Sequence, residues 1–183
     1  KRSLAVGFAT LDFMLTAMQG ENGAMIASLS AIDKLGREGA YYLFDDDVLA
    51  QALTPDEERV LRAVWSLPDA AAFDYGHLLV NQAPPELAAV QLGWAPDEIE
   101  RTLASAMGKL KDMRRERSLP VDNKLLAGWN ALAMEAFIAG ARQSDKVIYA
   151  QAARKIKRYI DTTLWDGDQL FRLPAPLNEG VGV

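Results

Sequence analysis

The stretch VDNKLLAGWNALAMEAF, residues 121–137, sets Asp122, Asn123, Lys124, Trp129 and Asn130 in an otherwise apolar run. A carboxylate, two amides and an indole suit a polyhydroxylated ligand, because an aromatic ring covers an apolar sugar face while amides bond to its hydroxyls. If the whole stretch is helical, a seven-residue step returns almost to the same bearing. Asp122 then lies under Trp129 and Asn123 under Asn130, giving two neighbouring polar stripes. Each residue also has a plainer role: Asp122 as a helix cap, Trp129 as core filler, Asn130 as a bridge between helices, and Lys124 as the partner of an acid from another hairpin. Asn130 is the hardest to set aside, since a buried amide without partners costs about 1–3 kcal/mol.

Other reactive types are sparse. His77 is the single histidine and cysteine is absent, which excludes a site of several imidazoles, a thiolate metal site, a thiol nucleophile and a disulfide framework within this chain. The acidic triplet at 45–47 and the Asp-Gly-Asp at 166–168 lack the spacing of a calcium loop, so they read as a helix cap and a tight turn. The basic run 109–117, interrupted by Asp112 and Glu116, reads as a solvated outer face. No metal and no cofactor is implied.

The elements that must position these residues are mostly helices. With 183 residues, half of them apolar, the chain is long enough for one domain or a large piece of one. Twenty basic residues against 25 acidic ones leave a net charge of -5, which disfavours a nucleic-acid partner. No apolar run approaches the roughly 20 residues of a membrane span, and no cleavage signal follows the start. The expectation is therefore no membrane partner and, by default, a cytoplasmic location. Lys1 and the closing LNEGVGV both read as cuts through something longer.

Leu4, Phe8, Leu11, Leu15 and Met18 recur at helical spacing and predict a first helix ending near Gly20. GAMIASLS and GAYYLF predict two short strands around a polar loop. FDDDVLAQAL predicts a short helix with an aspartate cap, and Thr54, Pro55 and Glu57 form the capping box of the next one. A helix near 85–92 and a longer one from Pro96 follow. Residues 123–141 carry only Lys124 and Glu135 as charges, whereas 145–164, capped by Ser144, display Lys146, Arg154, Lys155, Lys157 and Arg158. Inner helix followed by outer helix is the alternation of an α/α toroid, and an ordinary helical bundle shows much the same. DGDQLFRLP closes with a turn and a short strand.

Three stretches carry a resemblance: LDFMLTAMQGENGAMIASLSAIDKLGREGAYYLF, FDYGHLL and RRERSLPVDNKLLAGWNALAMEAF. In order and approximate spacing they resemble the spermatogenesis-associated, thioredoxin-domain-containing protein family. Its members join a thioredoxin-like domain to an (α/α)6 toroid similar to six-hairpin glycosidases and N-acylglucosamine 2-epimerases. The resemblance runs from about Leu4 to Ala141. It implies an all-α fold: residues 1–183 as part of such a toroid, built of antiparallel hairpins with short β-strands in the loops, and without the thioredoxin-like domain. The chain keeps Asp33, Glu38 and Gly39 of the first motif and Asp122, Lys124, Trp129 and Asn130 of the third. It has Ala31 and Asn123 where aspartates are expected, and Ala131 for a glycine. In the middle motif Phe73 and Asp74 fit, and His77 stands for an asparagine.

The resemblance raises Asp33 and Glu38, otherwise ordinary loop charges, to candidate catalytic residues beside Asp122. A glycoside bond is cleaved between two carboxylates, one an acid and the other a base or nucleophile. Asn123, Trp129 and Asn130 are then the ligand-binding residues of a pocket for a sugar-like or other polar small molecule. The alternatives are a glycan-active hydrolase or epimerase with further catalytic groups outside this segment, and a protein-interaction scaffold. A partial toroid exposes apolar inner helices, so the remainder of the ring or a second copy is the expected partner.

Overall fold

The computed structural model describes residues 2–174 apart from 66, 68–70, 72, 81 and 82. The closing LNEGVGV and parts of the loop 68–85 lie outside the described residues. In chain order the elements are α1 (Arg2–Phe13), β1 (Ser28–Leu29), β2 (Leu43–Phe44), α2 (Asp46–Ala52), α3 (Pro55–Trp65), β3 (His77–Leu78), α4 (Pro85–Leu92), α5 (Pro96–Glu116), β4 (Val121–Asp122), α6 (Ala127–Gln143) and α7 (Val147–Tyr159). The chain is mainly helical, and its strands are short. It divides into two compact units: Lys1–Leu29 with Val121–Val183, and Ser30–Pro120.

In the first unit, α1 widens into a π-helical turn over Met14–Met18, ending close to Gly20 as the apolar spacing predicts. α6 and α7 pack side by side, joined by residues 144–146. Leu11, Met25, Phe137, Tyr149 and Ile156 form the centre of the core. Gly140 lets α1 approach α6: a Cβ there would lie 2.4 Å from Leu11 Cδ1 and 3.2 Å from Tyr149 Cδ2. α7 is one-sided, with Tyr149, Ala152, Ala153, Ile156 and Tyr159 buried and its lysines and arginines outside. Val147 and Ile148 at its start are exposed, and Tyr149 takes the inward position. The Tyr149 hydroxyl donates to Asp12 Oδ1 at 2.7 Å, and Lys146 Nζ reaches Asp12 Oδ2 at 2.7 Å, latching α7 to α1.

Two expectations for the opening stretch fail here. The helix does not begin at residue 123: Asp122 pairs with Ser28 in an antiparallel β1–β4 ladder, and Leu126 is the N-cap of α6. Extended backbone at 122 breaks the seven-residue arithmetic, so Asp122 and Asn123 do not lie beneath Trp129 and Asn130. Nor does α6 bury every side. Ala127, Asn130, Ala133, Phe137 and Gly140 face the core, while Trp129 is 56% and Leu132 67% exposed. Ser144 does not cap α7 either. Its hydroxyl donates back to Gly140 O at 2.9 Å, and Lys146 occupies the N-cap without a side-chain capping bond.

In the second unit the predicted caps form. Thr54 N donates to Glu57 Oε2 at 2.7 Å and Glu57 N to Thr54 Oγ1 at 3.3 Å, the reciprocal capping box. Asp45 accepts from Val48 N at 2.7 Å and starts α2. α3 and α5 pack through Val60, Leu61, Val64, Ile99, Ala106 and Leu110. GAYYLF becomes a single 3₁₀ turn over Ala40–Tyr42 and then β2, which pairs antiparallel with β3. Gly76 makes that pairing possible: its φ is 124°, and a Cβ would sit 2.4 Å from the Phe44 carbonyl carbon.

Candidate functional site

The loop after β1 is built around Asp33. Oδ1 accepts from Leu35 N at 2.8 Å and Arg37 N at 3.0 Å, while Oδ2 accepts from Arg37 Nε at 2.9 Å and lies 2.8 Å from Arg37 Nη2. Gly36 and Gly39 take positive φ of 80° and 75°, the left-handed region where a side chain is disfavoured. Ile32 and Glu38 bridge the two arms of the loop. The result is a closed turn that sets Asp33 and Glu38 beside different depressions of the second unit. One, of about 340 Å³, is lined by Asp33, Lys34, Arg37, Tyr41, Asp45, Tyr75 and Arg117 among others. The other, of about 640 Å³, is lined by Glu38, Tyr42, Phe73, Asp74 and Tyr75 among others. Leu43 and Tyr75 belong to both walls. The Arg37 guanidinium lies 5.6 Å from the centre of the Tyr75 ring.

Electrostatics sets Asp33 and Asp122 apart from the general acid of a catalytic pair. The Arg37 backbone N–H, helped by its side chain and by Leu35 N–H, outweighs burial and holds the Asp33 carboxyl below the usual carboxylate range. Asp122, in the first unit, accepts from Lys124 N at 3.2 Å and from Lys124 Nζ at 2.7 Å. Those contacts, the Lys124 ammonium first, hold it below its ordinary value as well. Lys124 thus pairs within its own turn rather than with another hairpin. A general acid requires a raised pKa, and both carboxyls are held ionised.

Of the residues proposed for ligand binding, Asn123 is exposed just before α6. Trp129 stands on the exposed face of that helix. Asn130 is fully buried. Its Oδ1 accepts from Met25 N at 2.7 Å, and its Nδ2 donates to Met25 O at 3.0 Å and Leu126 O at 3.1 Å. The amide copies a backbone strand neighbour and clamps the segment after α1 to the first turn of α6. With its donors engaged by buried carbonyls, it fills the bridging role rather than that of a pocket wall. Trp129 and Asn130 therefore face opposite environments and do not form one plate-and-amide surface.

The cations of this site are not marked by any motif spacing. Lys34, Arg37 and Arg117 line the smaller depression, whereas 109–117 reads in sequence as a solvated face. Its two ends find partners across the unit instead. Lys109 Nζ meets the buried Glu57 at 2.7 Å, and Arg117 Nη1 lies 3.0, 3.0 and 2.7 Å from the carbonyl oxygens of Ala40, Tyr41 and Leu43. No local signal announces this, since the carbonyls that Arg117 meets lie more than 70 positions upstream.

His77 is buried, with Nε2 3.1 Å from Asp46 Oδ1, and Asp46 also receives Arg62 Nη2 at 2.7 Å. Its Nδ1 is buried without a partner among the described residues, and it lines neither depression. Among the described residues no three acidic or histidine side chains are placed to hold a metal ion. No helix among them is long and apolar enough to cross a membrane. Compared with protein-family models and with curated proteins, the sequence returns no match.

Proposed function

We propose that the chain is part of an α/α toroid that binds a polar, sugar-like small molecule, with the depression bounded by the Asp33 loop, Tyr75 and Arg117 as the binding site. The observation that carries this reading is the depression itself. About 340 Å³ of concave space with charged side chains and two tyrosines falls at the lower end of small-ligand sites and matches a monosaccharide-sized guest. Neither Asp33 nor Asp122 has the raised pKa of a general acid, which favours binding over glycoside cleavage by those two carboxyls. Support for the family resemblance comes from contact between its motifs: Asn130 of the third grips Met25 of the first, and Ser28 of the first pairs with Asp122 of the third. The one-sided α7 beside an α6 that is apolar on both faces agrees with outer and inner helices of such a ring. The exposed Trp129 and Leu132 are where further hairpins would pack, and the same face is the observation favouring a scaffold.

Titrating isotope-labelled protein with a panel of neutral and acidic monosaccharides tests the reading. Chemical-shift changes are expected at Tyr75, Tyr41 and the 33–39 loop, lost in Tyr75→Ala at an unchanged melting temperature. Changes confined to Trp129 and its neighbours would overturn the assignment.

A further inference from the structure

Resting on that reading, we propose that the depression is an oxyanion site, with Arg117 and Lys34 holding the carboxylate or phosphate of an acidic sugar or similar small molecule. The two acids on its wall are already engaged. Asp33 gives both oxygens to Arg37 and Leu35, and Asp45 caps α2. Arg37 is held in turn by Asp33. Lys34 and Arg117 remain, and neither is ion-paired among the described residues. Three cations therefore face two carboxylates around one small cavity, in a chain whose net charge is -5.

Arg117 is the better anchor because it is already oriented. It is partly buried against Phe44, its guanidinium carbon 4.6 Å from the ring centre, and the three carbonyls fix its Nη1. A guanidinium has five N–H donors, and here only those on Nη1 have partners among the described residues. The planar fork suits the paired oxygens of a carboxylate or phosphate, and a fixed fork loses little freedom on binding. Burial, then the like charges of Arg37 and Arg114, push the Arg117 guanidinium below its ordinary value against the pull of Asp45. A positive charge in that position is stabilised by an incoming anion. The Tyr75 ring on the same wall supplies an apolar surface for the body of the ligand.

Calorimetry and shift mapping with glucuronate, glucose 6-phosphate and glucose on the full chain test this. At least one acidic probe is expected to bind about tenfold or more tightly than glucose, a difference of about 1.4 kcal/mol. That preference should fall with added salt and largely vanish in Lys34→Gln and in Arg117→Lys. Whichever acidic probe binds more tightly separates a carboxylate from a phosphate preference. If Arg117→Lys lowers the melting temperature, the exposed Lys34→Gln decides alone. Equal affinities for all three probes, with shifts at Tyr75, would overturn the oxyanion site and leave the sugar-binding reading standing. An acidic preference unchanged in both variants would also overturn it, and no shift at the cavity with any probe would remove both.

Discussion

At the scale of single residues, the buried polar groups do the most to hold the chain in register. Asn130 satisfies the backbone of Met25 in both directions. Asn130→Ala is expected to leave a buried N–H and a carbonyl unpaired and to destabilise the fold by about 2 kcal/mol or more, read as a shift in the denaturant midpoint. A shift under about 0.5 kcal/mol would show that the clamp contributes little. Glu57 is the acidic counterpart. Burial pushes its carboxyl up, but the Lys109 ammonium, the Thr54 N–H and the Ser105 hydroxyl outweigh this and hold it at about 2, against an ordinary 4.5. A folded-state pKa below the unfolded one means that the unfolded chain binds the proton more readily. The stabilisation is therefore complete above about pH 4.5 and is lost as the pH falls through about 2. It amounts to at most about 3 kcal/mol. Glu57→Gln should flatten the acid limb of the stability profile, and an unchanged limb would assign acid unfolding to other carboxyls.

At the scale of elements, close approaches rank the glycines. Gly76→Ala sets a Cβ against the Phe44 backbone at a φ that side chains disfavour, so it should disrupt the β2–β3 pairing severely. Gly140→Ala meets the end of the Leu11 side chain instead. It is expected to cost about 1–3 kcal/mol, partly recovered in the Leu11→Ala background, as thermal melts of the two variants and the double mutant will show. α6 makes the complementary case. Because Trp129 and Leu132 stand exposed, Trp129→Ser should change stability by less than about 0.5 kcal/mol, and a larger loss would reveal packing on that face.

At the scale of the whole molecule, the two units have separate apolar cores, and the second is one continuous segment. Residues 30–120 expressed alone are expected to melt cooperatively, monitored by circular dichroism. A broad, non-cooperative loss of signal would show that the segment depends on the first unit.

Most helices, the caps of α2 and α3 and the one-sidedness of α7 were legible in the sequence, because 3.6-residue periodicity and capping chemistry act within a few neighbouring residues. Asn130 was visible as an amide that needs partners, whereas Asp33 read as an ordinary loop charge. The partner of Asn130 was not visible: Met25 lies 105 positions from it, and no local pattern encodes such a distance. The start of α6 was misplaced for the same reason, since β1, far upstream, holds residues 121–122 extended. Arg117 shows the limit most clearly. Charge and position identify a surface arginine past a helix end, and only the packing of β2 and the 40–43 turn against it makes the residue a half-buried cation beside a cavity. Local sequence thus determined which segments are helical and which side chains demand compensation. Tertiary structure alone decided who compensates them, because hydrogen bonding and desolvation depend on distances between segments far apart in the chain.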